Sequence, residues 1–448
     1  MWCHTFLRQS RSRCITRILL REHGICASST QEKILSQTLR VQTLPGFVPL
    51  LRRELLGMGI RSNACMIEGA TALVVSTDGT SPSLHNLASR LLIKSRLLNS
   101  LTVRLCPPFE AKWEKQIRDE LSKVPWSGFF PKSSRSPEVY IKAMSSRLTD
   151  SKRIEGIIRE SFHGWHDDGM TSQFDFTPCN HALASQVPVS SIKGYIVSDM
   201  MEIHADLGGK HPNEIHLENY GEKSRLKLTT TMASAVAVTV LDSLLTSHRV
   251  KLNIWDPFVG DGSLCMAFAA ILNGIPPRSP TQTYPVKLLP CFDDSNFEKS
   301  MSGLQVEAHR TSGSISSIIG TDSSYEAIST AETNRSRFAE RMPPHGDTQT
   351  FSGVPVGFQR VPDVFMPPQT KEKLLIVTAL PGGGDFEKRI RHFHLMAEKL
   401  RSDNRLGGAF VLTNKSHSFK KLSPHSRWLV DLRFLDGNRR EVELLRLV

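Results

Sequence analysis

The chain has 448 residues, more than one hydrophobic core normally serves, so two or three domains are expected. A formal charge of +12 and a pI near 9.4 favour a polyanionic partner such as RNA, although a basic organellar protein would show the same balance. No apolar run approaches the ~18 residues of a bilayer-spanning helix, and eight scattered cysteines without Cys-x-x-Cys or His/Cys zinc spacing argue for reduced, mostly buried thiols and no metal site.

Residues 1–38 differ from the rest. In the first thirty, Arg8, Arg11, Arg13, Arg17 and Arg21 punctuate Leu, Ile and Ser, and Glu22 is the only acid. Arg- and Ser-rich, acid-poor composition describes a mitochondrial presequence, with a disordered basic RNA-binding arm as the alternative. A matrix location is therefore expected.

A compact α+β region is expected over 39–210. Residues 41–44 read as a strand, and 46–58, with Phe47, Leu50, Leu51 and Leu55, as an amphipathic helix closed near Gly57 and Gly59. A strand at 71–76 precedes the Asp78-Gly79 turn. A basic, apolar-faced segment at 87–98 comes next, then a helix over 112–121, the aromatics Trp126, Phe129 and Phe130, and a strand at 139–143. A helix follows with Ile154, Ile157, Ile158 and Phe162 on one face, then strands within 195–201 and 202–209.

The order of Gly46-Phe…Glu54-Leu-Leu, Ser89-Arg-Leu-Leu…Ser95-Arg-Leu-Leu, Trp126…Phe129-Phe130 and Val139-Tyr-Ile…Lys152…Phe162 resembles the ferredoxin-like plus THUMP region of THUMP-domain RNA methyltransferases. The resemblance is nearest to the bacterial 23S rRNA guanine-N2 methyltransferases, where this region binds RNA by shape and charge. It implies an RNA-facing surface here carrying Arg90, Lys94, Arg96, Lys142, Arg147, Lys152 and Arg153. Phosphate contacts of that kind set affinity without reading sequence.

Residues 211–448 are expected to form a Rossmann-like domain with an insertion at 273–314. In its entry segment His216 and Tyr220 match that family's Leu-His-x-Arg-Gly-Tyr-Arg, but Glu218 and Gly221 stand for the arginines. Met232, Val236, Val240 and Leu244 define a core-facing helix. The buried strand 252–256 then ends in Asp256 and turns through Pro257, Phe258, Val259, Gly260, Asp261 and Gly262 into an Ala-rich helix. Glycines at such a turn allow close approach to the main chain, and the helix start offers unpaired N–H groups. No Gly-Lys-Ser/Thr follows, and Cys265 replaces the third glycine of the dinucleotide fingerprint. Asp-Pro-Phe-Val-Gly-Asp-Gly-Ser instead resembles the first motif of S-adenosylmethionine (SAM) methyltransferases. This implies cofactor contacts from Asp256, Phe258, Gly260 and Gly262.

A second buried strand at 315–319 runs to Gly320-Thr321-Asp322, whose acid suits the ribose hydroxyls. The next helix, 325–338, matches the family's Ala-Ile-x-x-Ala-x-x-Asn through Ala327 to Asn334. A third strand starts at Val356, and Asp363 falls where the family faces the adenine. The strand 374–378 ends in Thr378-Ala379-Leu380-Pro381-Gly382, where the family carries Asn-Pro-Pro-Tyr to orient an exocyclic amine and stack on a flipped base. Only Pro381 survives of that motif. Thr378 and Asp385 are the nearby polar groups that could substitute, so Thr378 and Pro381 are the catalytic candidates. A helix at 392–400, a strand at 408–413 and the pair 428–434 with 442–447, turned at Asp436-Gly437, complete an antiparallel sheet ending.

These readings combine into an α/β protein: a THUMP-like RNA-binding region joined to a SAM-methyltransferase sheet whose amine-orienting motif is lost. The function expected is a catalytically impaired role in mitochondrial rRNA maturation or ribosome assembly, with assembly proteins as further partners and no membrane. Two alternatives stay open. One is an active rRNA guanine-N2 methyltransferase; the other is an interaction scaffold binding neither SAM nor RNA.

Overall fold

The computed structural model describes residues 38–69, 71–76, 84–130, 137–167, 191–209, 228–245, 250–278, 284–289, 306–339, 353–381, 385–422, 426–435 and 440–448. The Arg-rich start, the segment with His216 and Tyr220, most of the insertion, residues 382–384 and the Asp436-Gly437 turn lie outside them.

The amino-terminal half runs β1 (Thr38–Gln42), α1 (Val48–Gly57), β2 (Cys65–Glu68), β3 (Ala72–Ser76), α2 (Leu84–Lys94), β4 (Ser100–Arg104) and β5 (Phe109–Glu110). It continues with α3 (Glu114–Leu121), the single turn α4 (Trp126–Phe129), β6 (Glu138–Met144), α5 (Ser151–Asp167), β7 (Ser191–Val197) and β8 (Met200–Asp206). All of its strands form one sheet in the order β2-β3-β1-β4-β8-β7-β6, with β5 alongside β8. Alternation builds it: Leu39, Val41, Leu101, Val103, Ile203 and Ala205 are buried among apolar groups, while Arg40, Gln42, Thr102, Arg104 and His204 take the intervening positions.

Strands β2 and β4 were not expected from the sequence. Ser100-Leu-Thr-Val-Arg104 does alternate, but it directly continues the basic helical stripe of α2. The expected strand through 195–201 is broken at Ser198-Asp199, a two-residue hairpin whose φ angles of 52° and 65° lie in the left-handed region.

The carboxyl-terminal half runs α6 (Thr230–Leu244), β9 (Leu252–Asp256), α7 (Ser263–Leu272), β10 (Ile315–Asp322), α8 (Tyr325–Ala339), β11 (Val356–Arg360) and β12 (Lys373–Ala379). Then come α9 (Phe386–Ser402), β13 (Leu406–Thr413), α10 (Ser416–Lys421), β14 (Trp428–Leu435) and β15 (Glu441–Leu447). The sheet order is β11-β10-β9-β12-β13-β15-β14. The five strands β11 to β13 are parallel, and β15 runs antiparallel to β13 and β14. Helix α7 is buried on every side, as a helix apolar all round must be. Helix α9 starts earlier than expected because Phe386 and Ile390 extend the buried stripe of Phe393, Ala397 and Leu400. The chain builds outward from β9 to β11, then returns to lay β12 against β9. That reversal makes a switch point where open α/β sheets bind ligands.

The two halves share one apolar core. Phe47 at the start of α1 meets Phe434 of β14 with ring centroids 5.0 Å apart. Gly46, at φ +93°, sits where a Cβ would stand 2.4 Å from the Arg433 carbonyl oxygen, so only glycine fits. Two buried arginines complete the junction. Arg278 donates to the carbonyls of Leu91 and Leu92 in the last turn of α2 and of Ser95 and Leu98 just after it, with the Leu98 contact at 2.9 Å. Arg96 reciprocates, donating to the carbonyls of Ala270 (3.1 Å) and Ile275 after α7. Each guanidinium thus adds a donor to carbonyls at a helix end, although the Leu91 and Ala270 carbonyls also accept from the Ser95 and Ile275 N–H groups. Burial lowers both arginine pKa values, to about 10. Arg96 is therefore corrected: expected on an RNA-facing surface, it is a junction residue with 8% exposure. Glu54, whose pKa burial raises, fixes the same loop by accepting from Ser95 Oγ (2.6 Å) and the Arg96 N–H (2.7 Å).

Candidate cofactor and acceptor site

The parallel strands place the sequence-predicted cofactor residues on one edge. Gly320 pairs with Asp256, so Asp322 stands two residues beyond it on the neighbouring strand. The turn between them has φ +56° at Gly260 and +79° at Gly262. A Cβ on Gly262 would meet Phe358 and Ala331 at 3.1 and 3.2 Å, so helix packing requires this glycine as well as backbone angle. Asp322 Oδ2 accepts from the Gly260 N–H at 3.3 Å and its Oδ1 from the Ser324 N–H at 3.0 Å. Val259 N–H donates to the Thr321 carbonyl at 3.1 Å, a second tie from the turn to β10. Asp256 and Asp322 are both buried, and both shape the turn.

Phe258 belongs to the apolar cluster under β12 and α9. Its ring stands edge-on to Phe365, 5.6 Å between centroids, and Phe365 stands edge-on to His392 at 5.3 Å. Asp363 is exposed, and its Oδ1 accepts from the Phe365 N–H at 2.9 Å. Its turn thereby brings Phe365 against the glycine-turn phenylalanine. No local pattern marks Phe365, because an aromatic two residues past a loop aspartate carries no periodicity.

Across the switch point, β12 forms the acceptor corner. Ile376 pairs with Trp255, which sets Thr378 just past the level of Asp256. Thr378 is fully buried, and its hydroxyl donates to Asp256 Oδ1 at 2.6 Å; the same oxygen accepts from the Phe258 N–H at 3.1 Å. Thr378, expected as a catalytic candidate, thus braces the glycine turn. The Pro381 carbonyl accepts from Arg389 Nη1 at 3.1 Å, a half-buried arginine on the first turn of α9. Asp385 is exposed at the start of α9, and its carbonyl accepts from the Arg389 N–H. Ala379 has no polar side chain to offer. Arg389 was missed in the sequence: no motif marks it, and only its spacing from Pro381 could have suggested contact.

The expected RNA-facing residues scatter. Lys142, Arg147, Lys152 and Arg153 are exposed around β6 and α5, whereas Arg90 and Lys94 are half-buried on α2. Arg153 pairs with Glu114, and Arg147 lies near Asp199.

Sheet order, parallel core and antiparallel ending define a methyltransferase-type α/β fold, here fused to an amino-terminal mixed sheet. Solved structures share it across nearly the whole chain. A protein from Clostridium difficile 630 described as a possible methylase matches with a TM-score of 0.66 at 15% identity, covering 92% of this chain and 97% of its own. SMU.472, described as a candidate methyltransferase and solved in complex with SAH, gives 0.64 at 15% identity over 92% and 97%. TrmN from Thermus thermophilus gives 0.56 at 14% identity over 92% and 100%. No family model matches the chain, and no curated protein matches it.

Proposed function

We propose that this chain is an RNA-binding protein on a methyltransferase scaffold, retaining an adenosyl pocket but impaired in amine methylation, and acting on mitochondrial rRNA maturation or ribosome assembly. One observation carries the impairment: at the acceptor corner the Thr378 hydroxyl and the Pro381 carbonyl are already engaged. Thr378 donates to Asp256 and the Pro381 carbonyl receives Arg389, while Ala379 replaces the amide. Losing one preorganised polar contact in a transition state costs about 10²–10³ in rate, and losing a base-stacking ring about 1–3 kcal/mol more.

The intact glycine turn supports the pocket, as does the SAH held by the similarly folded SMU.472. In this pocket Asp322 would face the ribose hydroxyls, Gly260 and Gly262 would admit the methionine portion, and the Asp363 turn would border the adenine. SAM would supply the electrophilic methyl. Charge supports RNA, and the Arg-rich opening supports the mitochondrial matrix.

Two measurements on the purified chain test the reading. Titration calorimetry is expected to give SAM binding, while a tritiated-methyl assay on mitochondrial rRNA shows no transfer above an Asp322→Ala control. Absence of SAM binding overturns the retained pocket. Robust transfer replaces the proposal with the active guanine-N2 methyltransferase.

A further inference from the structure

At the edge of the amino-terminal sheet, three segments meet on Asp199. Its carbonyl accepts from the Ala111 N–H at 2.7 Å, its Oδ1 from the Arg147 N–H at 2.7 Å, and its own N–H donates to Ser146 Oγ at 3.1 Å. Ser198 N–H adds a bond to the Met144 carbonyl. The described residues contain four non-glycine residues with left-handed φ, and three of them, Ser145, Ser198 and Asp199, lie here. A two-residue hairpin demands that geometry of Ser198 and Asp199. Ser145 has no such excuse, and backbone held in a sparse region persists where the surroundings impose it. The tip is stiff.

On this tip stands Trp113, 61% exposed. Its backbone is fixed as firmly as the rest, since Gln116 Oε1 accepts from the N–H groups of Lys112 (2.9 Å) and Trp113 (3.0 Å). The Arg147 guanidinium hangs over the indole at 5.6 Å from the ring centroid. A second pair in the same sheet gives the scale: Arg40 lies 4.0 Å over the half-buried Tyr195 ring. The Trp113 pair is open by comparison. A stacked base occupies ~3.4 Å, so a base between guanidinium and indole needs a separation of about 7 Å, reached by a small swing of an exposed arginine.

We propose that Trp113 and Arg147 form a stacking site for one unpaired RNA base, the indole serving as platform and the guanidinium closing over it. Aromatic rings and arginine planes are the surfaces on which single-stranded bases stack. The surroundings favour a base over an apolar protein face, because ions ring the indole: Lys112 with Glu110, Arg153 with Glu114, and Arg147 with Asp199. Exposed Lys142 and Lys152 on the adjoining β6 and α5 supply cations for the strand's phosphates. The middle of the sheet face is a poorer candidate, since Arg40, Arg104 and Lys193 there are largely buried beside Glu68, Glu202 and Asp206, whereas Lys142 and Lys152 are exposed.

This inference rests on the RNA-binding reading, and the test separates the two. A single-stranded oligoribonucleotide carrying 2-aminopurine is titrated with the full chain at low salt, reading anisotropy for affinity and 2-aminopurine emission for stacking. Wild type is expected to bind and quench. Trp113→Ala should lose the quench and weaken binding about tenfold to a hundredfold, with an unchanged salt slope because no cation is removed. Trp113→Phe should recover most of both. Trp113→Ala that binds and quenches like wild type overturns the stacking site alone. Wild type that binds no RNA even at low ionic strength overturns the RNA reading and the site with it.

Discussion

The two sheets bury acids in opposite ways. On the amino-terminal sheet, Glu202 is met by Arg104 at 2.9 Å and His204 at 3.2 Å, Asp206 by Lys193 at 3.2 Å, and Glu68 by Arg40 at 2.9 Å. On the carboxyl edge of the second sheet, Asp256 and Asp322 accept from the main-chain N–H groups of Phe258, Gly260 and Ser324 and from one threonine hydroxyl. The first arrangement balances charge and holds strands together. The second spends its acids on the shape of a glycine turn. A shape so maintained, beside a corner where the Thr378 hydroxyl and the Pro381 carbonyl are engaged elsewhere, is what the proposed separation of cofactor holding from amine methylation requires.

Rebuilding the corner gives the largest expected effect. If the turn still positions SAM, the triple substitution Ala379→Asn, Leu380→Pro and Gly382→Tyr should raise methyl transfer by about 10²–10³ over the unmodified chain, the weight of one oriented polar contact. Single-turnover transfer from labelled SAM to rRNA reads it. No gain in a variant that still binds SAM would mean the loss extends beyond the corner, and the separation just drawn would fail.

Acid probes the other sheet. Burial lowers the His204 pKa to about 4, against the hydrogen bond to Glu202 that would raise it. The unfolded chain therefore takes up this proton near pH 6.5 and the folded one only near 4, so stability falls as pH drops through that window. One such buried histidine is worth roughly 2–3 kcal/mol. Glu202 adds a loss further down: burial works to raise its pKa, but His204 and Arg104 outweigh it and hold it at about 2. Its contribution goes as pH falls from about 4.5. Burial raises the pKa values of Glu54, Glu68 and Asp206, which works the other way, so the test is the difference: urea midpoints from pH 7 to 4.5 should decline more steeply in the wild type than in His204→Gln. His394, lowered by burial to about 4, leaves a residual slope. An unchanged slope in His204→Gln would deny that the charge network governs this sheet's acid response.

Order was more legible in the sequence than contact. The β9 motif, the acid ending β10 and the apolar strand β12 announce a parallel sheet because their periodicity and turn glycines are local properties. Arg96 shows the limit. Its place in a basic, apolar-faced segment is the pattern of a solvated helix, yet its guanidinium crosses to carbonyls nearly two hundred positions away, and Arg278 answers from within an insertion. No local pattern encodes a carbonyl acceptor. Trp113 escaped notice likewise, since nothing in Lys112-Trp113-Glu114 tells an exposed ring from a buried one. Pro381 was found by its alignment with a motif and Thr378 as a polar neighbour of it, but the hydrogen bonds that engage them depend on Asp256 and Arg389, which reach them only across strands or around a turn.

The smallest expected effect returns to the turn. Thr378→Val keeps the side-chain volume and removes only the hydroxyl that donates to Asp256 Oδ1 at 2.6 Å. Both residues are buried, so water does not replace the lost donor freely. Hydrogen bonds to charged groups contribute about 1.5–3 kcal/mol, and the lower end applies because the Phe258 N–H still serves the same oxygen. A loss near 1.5 kcal/mol in urea unfolding at pH 7 is expected. SAM affinity should fall by less than tenfold, because the backbone ties from Val259 to Thr321 and from Gly260 to Asp322 remain. If stability is untouched while SAM binding disappears, Thr378 contacts the cofactor rather than bracing the turn, and the two kinds of buried acid are less distinct than the geometry makes them.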